Sequence, residues 1–245
     1  MRTLLRPLFC AALLASPAAM AGVTGNAGVV SEYLFRGVEQ SAGAALQGGV
    51  DWAHDSGVYA GTWVSNVAFA NTDPAANFVT YETDFYAGYT KKWDLFGFDV
   101  GLLQYYYTDD SSYNTLEVYV GALIGPASVK VYYTPDYFGV VDATGDDSVE
   151  GMYVTASAAL PLTSSITVTP QVGMSSGDGP KNFFGADPNT GNADGEYIDY
   201  SVTLTKNLDN GFAFSFAVVG TTLDTTLYPG DDEKLVIGLK KTFEI

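Results

Sequence analysis

Three groupings in this chain hold residue types that do chemistry. His54 stands beside Asp55 and Ser56, the base, orienter and nucleophile of a hydrolase. A triad gathers its members from separate segments, however, and a run of His-Asp-Ser-Gly is the composition of a tight turn. His54 is the one histidine present, so no second base is on offer. Glycoside hydrolysis needs one carboxyl acid and one carboxylate nucleophile, and nothing in the sequence singles out such a pair among 28 acidic residues. Asp187 to Glu196 carries oxygen ligands at alternate positions, loosely like a calcium loop, yet lacks the full ligand spacing and the flanking helices. No glycine-rich phosphate cradle opens a helix. The sequence therefore nominates no catalytic residue, no metal ligand and no cofactor, and an enzyme is not the expectation.

A larger set of carboxylates is organised by parity. Val79, Tyr81, Thr83, Phe85, Ala87 and Tyr89 interleave with Thr80, Glu82, Asp84, Tyr86, Gly88 and Thr90. A period of two with apolar residues on one face and acids on the other suits a wall between hydrocarbon and water. The same stripe recurs at Leu46, Val50 and Trp52, from Leu116 to Ile124, from Met152 to Leu160, from Phe212 to Val218 and from Leu235 to Phe243. The opposite parity gives an inner face whose candidate pore-lining residues are Glu32, Arg36, Asp51, Glu82, Asp84, Asp99, Glu117, Lys130 and Asp199, together with Gln47, Tyr105, Tyr119, Tyr132, Tyr153, Gln171 and Lys240. Gln104 falls on the lipid side, which predicts a bulge or a shifted register there.

These faces require an all-β fold: a transmembrane, antiparallel, up-and-down β-barrel of about twelve strands averaging about ten residues. The strands are placed at 23–35, 44–53, 57–69, 78–92, 97–108, 114–124, 127–138, 149–160, 164–175, 196–207, 211–221 and 233–244. Connections alternate between tight turns, such as Asp94 to Gly97 and Gly125-Pro126, and longer segments rich in Asp, Asn, Gly and Pro at 70–77, 139–148, 176–195 and 222–232. Short turns face the periplasm and long loops the exterior. Asp109, Asp110, Asp142, Asp147 and Glu150 fall with the loops, whereas Lys91, Lys92, Lys206, Lys240 and Lys241 fall toward the turns. Tyr89, Trp93, Phe98, Phe212 and Phe243 lie where rings prefer the membrane interface.

The first residues read as an export signal. Arg2 and Arg6 precede the apolar run Leu8 to Ala15, and Ala19-Met20-Ala21 offers a cleavage site, which predicts a signal peptide over 1–21 and a barrel over 22–245. Cys10 leaves with that leader, so the barrel has neither disulfide nor thiolate ligand. Loss of Arg2 and Arg6 takes the formal charge from −17 to about −19, which disfavours nucleic acid as a partner. The partners expected are outer-membrane lipid and lipopolysaccharide, the barrel assembly machinery, which would read Phe243 near the C-terminus, and small solutes or cations.

The segment Ser31 to Ser41, followed by Ala45 to Val67 with its Gln47-Gly48-Gly49-Val50-Asp51-Trp52 core, resembles the TorF-like family of proteobacterial porins. The resemblance is specific in this first third and architectural beyond it, and Val64 departs from the small residue of that position. It implies an outer-membrane channel and carries over no binding residues. Two functions stay open: a narrow, cation-preferring diffusion channel, or a structural or adhesive barrel whose lumen is packed shut and whose acidic loops bind ions or partners.

Overall fold

The computed structural model describes residues 22–69, 79–142, 144–145, 147–184, 195–223 and 233–245. Twelve strands form its wall: β1 (Gly22–Val30), β2 (Ala45–Ala53), β3 (Val58–Phe69), β4 (Val79–Trp93), β5 (Phe96–Tyr107), β6 (Thr115–Ile124), β7 (Ala127–Thr134), β8 (Gly151–Ala158), β9 (Ile166–Ser176), β10 (Tyr197–Asn207), β11 (Phe212–Thr221) and β12 (Lys234–Glu244). Leu160–Pro161 continues β8 past a break at Ala159. Each strand pairs antiparallel with its neighbours in sequence, and β1 pairs with β12 from Thr24↔Glu244 to Val30↔Gly238. That last ladder closes the sheet, so no strand edge remains for lipid to meet unsatisfied N–H and C=O groups.

The alternation resolves into two environments. Outward-facing Leu46, Val120, Val202, Phe216, Ile237 and Leu239 are exposed, with Val120 at 55 % and Val202 at 52 %. Their inward neighbours Glu117, Thr203 and Ser215 are buried. A closed barrel with a continuous apolar exterior and a polar interior is stable only in a bilayer, which makes this an outer-membrane barrel.

Tight turns close one end. Trp93↔Phe96 and Ile124↔Ala127 each bracket two residues, and Asp94 (φ 50°) and Gly125 (φ 57°) supply the left-handed conformation that such turns require. At the other end lies a short helix α1 (Asp178–Phe184), where Phe184 packs edge-on against Tyr197 at 5.1 Å.

Four expectations are corrected. The first strand ends at Val30 instead of 35, because residues 31–44 leave the wall and turn inward. Strand β7 ends at Thr134 instead of 138, where Asp136 N–H donates to Thr134 Oγ1 at 3.1 Å and the chain bends. Val79 is fully buried among inward aromatics, since the β3–β4 register shifts between Asn66 and Phe69 and reverses parity at that rim. Gln104 shows no bulge: it pairs regularly with Phe85 and Leu116, and its Nε2 donates to the carbonyls of Tyr105 (2.8 Å) and Thr115 (3.2 Å). A polar side chain on the lipid side is thus satisfied by the backbone beside it.

Candidate functional site

The inward turn of residues 31–44 builds the centre of the lumen. Leu34↔Glu39 and Phe35↔Val38 form a two-rung hairpin around Arg36 (φ 50°) and Gly37 (φ 80°), the paired positive values of a type I′ turn. A Cβ at Gly37 would stand 2.9 Å from Asp199 Cβ and 3.0 Å from Thr221 Cβ, so glycine is also what lets the tip touch the wall at β10 and β11. The tip delivers Arg36 to β6, where its Nη2 donates to Glu117 Oε1 and Oε2 at 2.8 and 2.7 Å. Its guanidinium carbon lies 4.2 Å from the Tyr153 ring centre and 4.6 Å from that of Phe35. Tyr33 secures the flank: its N–H donates to Ser41 Oγ and its hydroxyl to Glu82 Oε1, both at 2.8 Å. At the mouth Lys234 lies 3.7 Å from Glu32 and 3.5 Å from Glu39. Partial burial, then the neighbouring Glu39, push the Glu32 carboxyl up from its ordinary value, against the pull of Lys234.

The wall carboxylates are held by phenols. Glu82 Oε2 accepts from Tyr107 at 2.7 Å, Glu117 Oε2 from Tyr105 at 3.1 Å, Asp99 Oδ1 from Tyr59 at 2.6 Å and Asp199 Oδ1 from Tyr153 at 3.1 Å, while Tyr86 donates to Asp51. Lys130 completes Asp99 with a contact of 2.5 Å to Oδ2 and sits over the Tyr119 ring at 5.0 Å. Two cations thus neutralise two of the acids. Glu82, Asp84, Asp51 and Asp199 have no ion pair among the described contacts.

So many tyrosines would block a lumen if their rings pointed across it. Instead Tyr59 lies over Gly88, Tyr86 over Gly61, Tyr119 over Gly101 and Tyr153 over Gly173, each a residue of an adjacent strand that any Cβ would fill. Glycine gives the ring room to lie flat and aim its hydroxyl along the wall. The remaining arc, β8 to β11, presents Thr155, Thr167, Thr169, Ser175, Thr203, Thr205, Ser215, Ala213 and Ala217 inward. The lumen is therefore lopsided: apart from Tyr153, Tyr197 and Asp199 this arc is lined by small residues, whereas the other side is aromatic and acidic.

Of the nine expected lining residues, Asp51, Glu82, Asp84, Asp99, Glu117, Lys130 and Asp199 stand on the wall facing inward, and Glu32 and Arg36 arrive from the hairpin instead of from a strand. The sequence reading missed the hairpin, although Arg36-Gly37 between Phe35 and Val38 is a turn signal within a two-residue alternation. His54 lies in the β2–β3 turn, where Ser56 Oγ is 2.9 Å from Nδ1 and Ser56 N–H donates to Nδ1 at 3.1 Å, a local turn contact. Residues 187–194 of the calcium-like stretch and the leader at 1–21 lie outside the described residues. Among the described residues no cluster of three His, Cys, Asp or Glu could hold a metal ion.

Residues 14–243 match the family Gcw_chp, described as a bacterial protein of unknown function. The chain belongs to the Gcw_chp family. The narrower TorF-like assignment is not established by that match. No curated protein sequence matches the chain. Among solved structures this Gcw_chp barrel is similar to the NanC porin, at 12 % identity over 91 % of this chain and 100 % of that one with a TM-score of 0.56. It is similar also to the KdgM porin, at 10 % identity over 91 % and 99 % with a TM-score of 0.54. A KdgM porin structure in complex with disordered oligogalacturonate matches at 12 % identity, with the same coverage and TM-score. At these identities the likeness concerns the fold.

Proposed function

We propose that the barrel is a narrow outer-membrane diffusion channel for small solutes and ions, that it prefers cations, and that it is not an enzyme. The observation that carries this reading is the laying of four lumen phenols flat over glycines of the next strand, an arrangement that keeps bulky rings off the barrel axis. The acids left without ion pairs favour cations and repel anions in a confined space of low dielectric. They also argue against a polyanionic cargo such as the oligogalacturonate of the KdgM complex. Residues 1–21 serve as the cleaved export signal, lipid and lipopolysaccharide surround the barrel, and the assembly machinery inserts it. The resemblance of the first third to TorF-like porins points the same way.

Single-channel recording of the refolded protein in a planar bilayer tests this. The expected result is a small conductance with a reversal potential of cationic sign across a salt gradient. Folded protein that conducts nothing would overturn it. That outcome would favour the second reading, a plugged structural barrel, whose support is the inward hairpin and the buried cluster of Tyr33, Tyr105 and Tyr107 around it.

A further inference from the structure

The lumen carboxylates differ in what holds them. Glu82, Glu117, Asp99, Asp51 and Asp199 each accept from at least one phenol. Asp84 is fully buried, and neither of its carboxylate oxygens has a hydrogen-bond partner. It stands on β4, opposite Trp63 of β3 and Tyr105 of β5. The charges that act on it are Glu82, two residues along the same face, and Glu117 beyond β5, both acidic. The hairpin secures both flanking acids, Glu82 through Tyr33 and Glu117 through Arg36. A carboxylate removed from water beside two others is severely unfavourable unless a bound cation or a proton neutralises it. The two buried cations are committed elsewhere, Arg36 to Glu117 and Lys130 to Asp99.

We propose that Asp84 is the direct ligand of a monovalent cation, sodium or potassium, held in the lumen between Glu82 and Glu117 and covered by the hairpin. This deepens the cation preference above and rests on that reading of the lumen's charge. A divalent ion is the poorer fit, because it would ask for several carboxylate or carbonyl oxygens at once. Of the three carboxylates only Asp84 has both oxygens uncommitted, since Glu82 accepts from Tyr33 and Tyr107 and Glu117 from Tyr105 and Arg36.

The test is thermal unfolding of the refolded barrel in zwitterionic detergent, read by gel heat-modifiability, in equal concentrations of potassium, sodium or choline chloride. Equal ionic strength removes screening from the comparison, and choline is too large for the site. The wild-type midpoint should be higher in potassium or sodium than in choline and should rise with the logarithm of cation concentration. Asp84→Asn should abolish that difference, and Asp109→Asn in an outer connection should keep it. Equal wild-type midpoints in all three salts would overturn the proposal, as would an undiminished difference in Asp84→Asn. Stabilisation by acid alone, without a cation effect, would mean that a proton fills the role and would overturn it too. Should Asp84→Asn not fold, the wild-type comparison still decides. Cation stabilisation without conductance would sink the channel and spare the site; conductance without cation stabilisation would do the reverse.

Discussion

Arg36 and Glu117 are buried on both sides of their contact, at 6 % and 2 % side-chain exposure. Removing one partner strands the other charge, which costs about 3–5 kcal/mol, whereas replacing both by neutral groups of similar shape is close to neutral. Arg36→Ala should therefore lower the urea midpoint of the refolded barrel strongly, and the double variant Arg36→Met with Glu117→Gln should recover most of the loss. Equal losses in the two would show that the pair is a contact without electrostatic content. Asp109, just beyond β5, shows the exposed case. Hydrogen bonds from Thr80 Oγ1 (2.5 Å) and Thr80 N–H (2.8 Å) hold its carboxyl below the ordinary aspartate value. A lowered folded value means that the anchoring is complete above the ordinary value of about 3.9 and is lost as pH falls through the lowered one. Amide exchange at Thr80, corrected for its intrinsic pH dependence, should accelerate only in that acid window, and Asp109→Asn should remove the step.

At the scale of elements, strand parity and hairpin seating make separate claims. Val118 and Val202 face lipid near the middle of β6 and β10, so Arg at either should cost about 2–4 kcal/mol and reduce the heat-modifiable folded form. Gln171→Arg on the inward face of β9 should assemble. Tyr153, an inward site on parity alone, is no fair control, because it lies beneath Arg36 and donates to Asp199. If the inward and outward variants behave alike, the faces are exchanged. Gly37→Ala tests the hairpin: a side chain at φ 80° costs about 1–2 kcal/mol, and here it also meets Asp199 and Thr221. Arg36 at the turn is buried in the wild type, so the folded barrel should resist trypsin there. The variant should be cut after Arg36 while its wall stays intact.

The whole molecule carries its charge unevenly. Asp51, Glu82 and Asp84 line one arc of the lumen without ion pairs among the described residues, Asp199 stands apart from them on β10, and a second acidic population lies at the outer mouth at Asp109, Asp110, Asp147 and Glu150. Confined carboxylates act over a longer range than exposed ones, which salt screens within about 10 Å at 0.1 M. Glu82→Gln with Asp84→Asn should move the reversal potential toward zero, most visibly in dilute salt. Asp109→Asn with Asp110→Asn should move it less. A larger shift from the outer pair would place selectivity at the mouth and not in the lumen.

Alternation, turn spacing and sign of charge were legible in the chain because each follows from local geometry: side chains on a strand change sides at every residue, whatever lies across from them. Eleven of the twelve strands could be placed to within a few residues on that basis, and the inward parity of Glu82, Asp84, Asp99, Glu117 and Asp199 came with them. The departure of residues 31–44 from the wall was not legible. Their alternation continues that of β1, and only contacts to Glu117, Glu82 and Asp199, each more than forty residues away, draw them inward. The same holds for the tyrosines, whose flat seating depends on which glycine closure of the barrel puts beside them. Parity says which way a carboxylate points. Only the closed structure decides that Glu82 meets two phenols, Glu117 an arginine and Asp84 nothing, because those partners are brought together by register and curvature and not by sequence spacing.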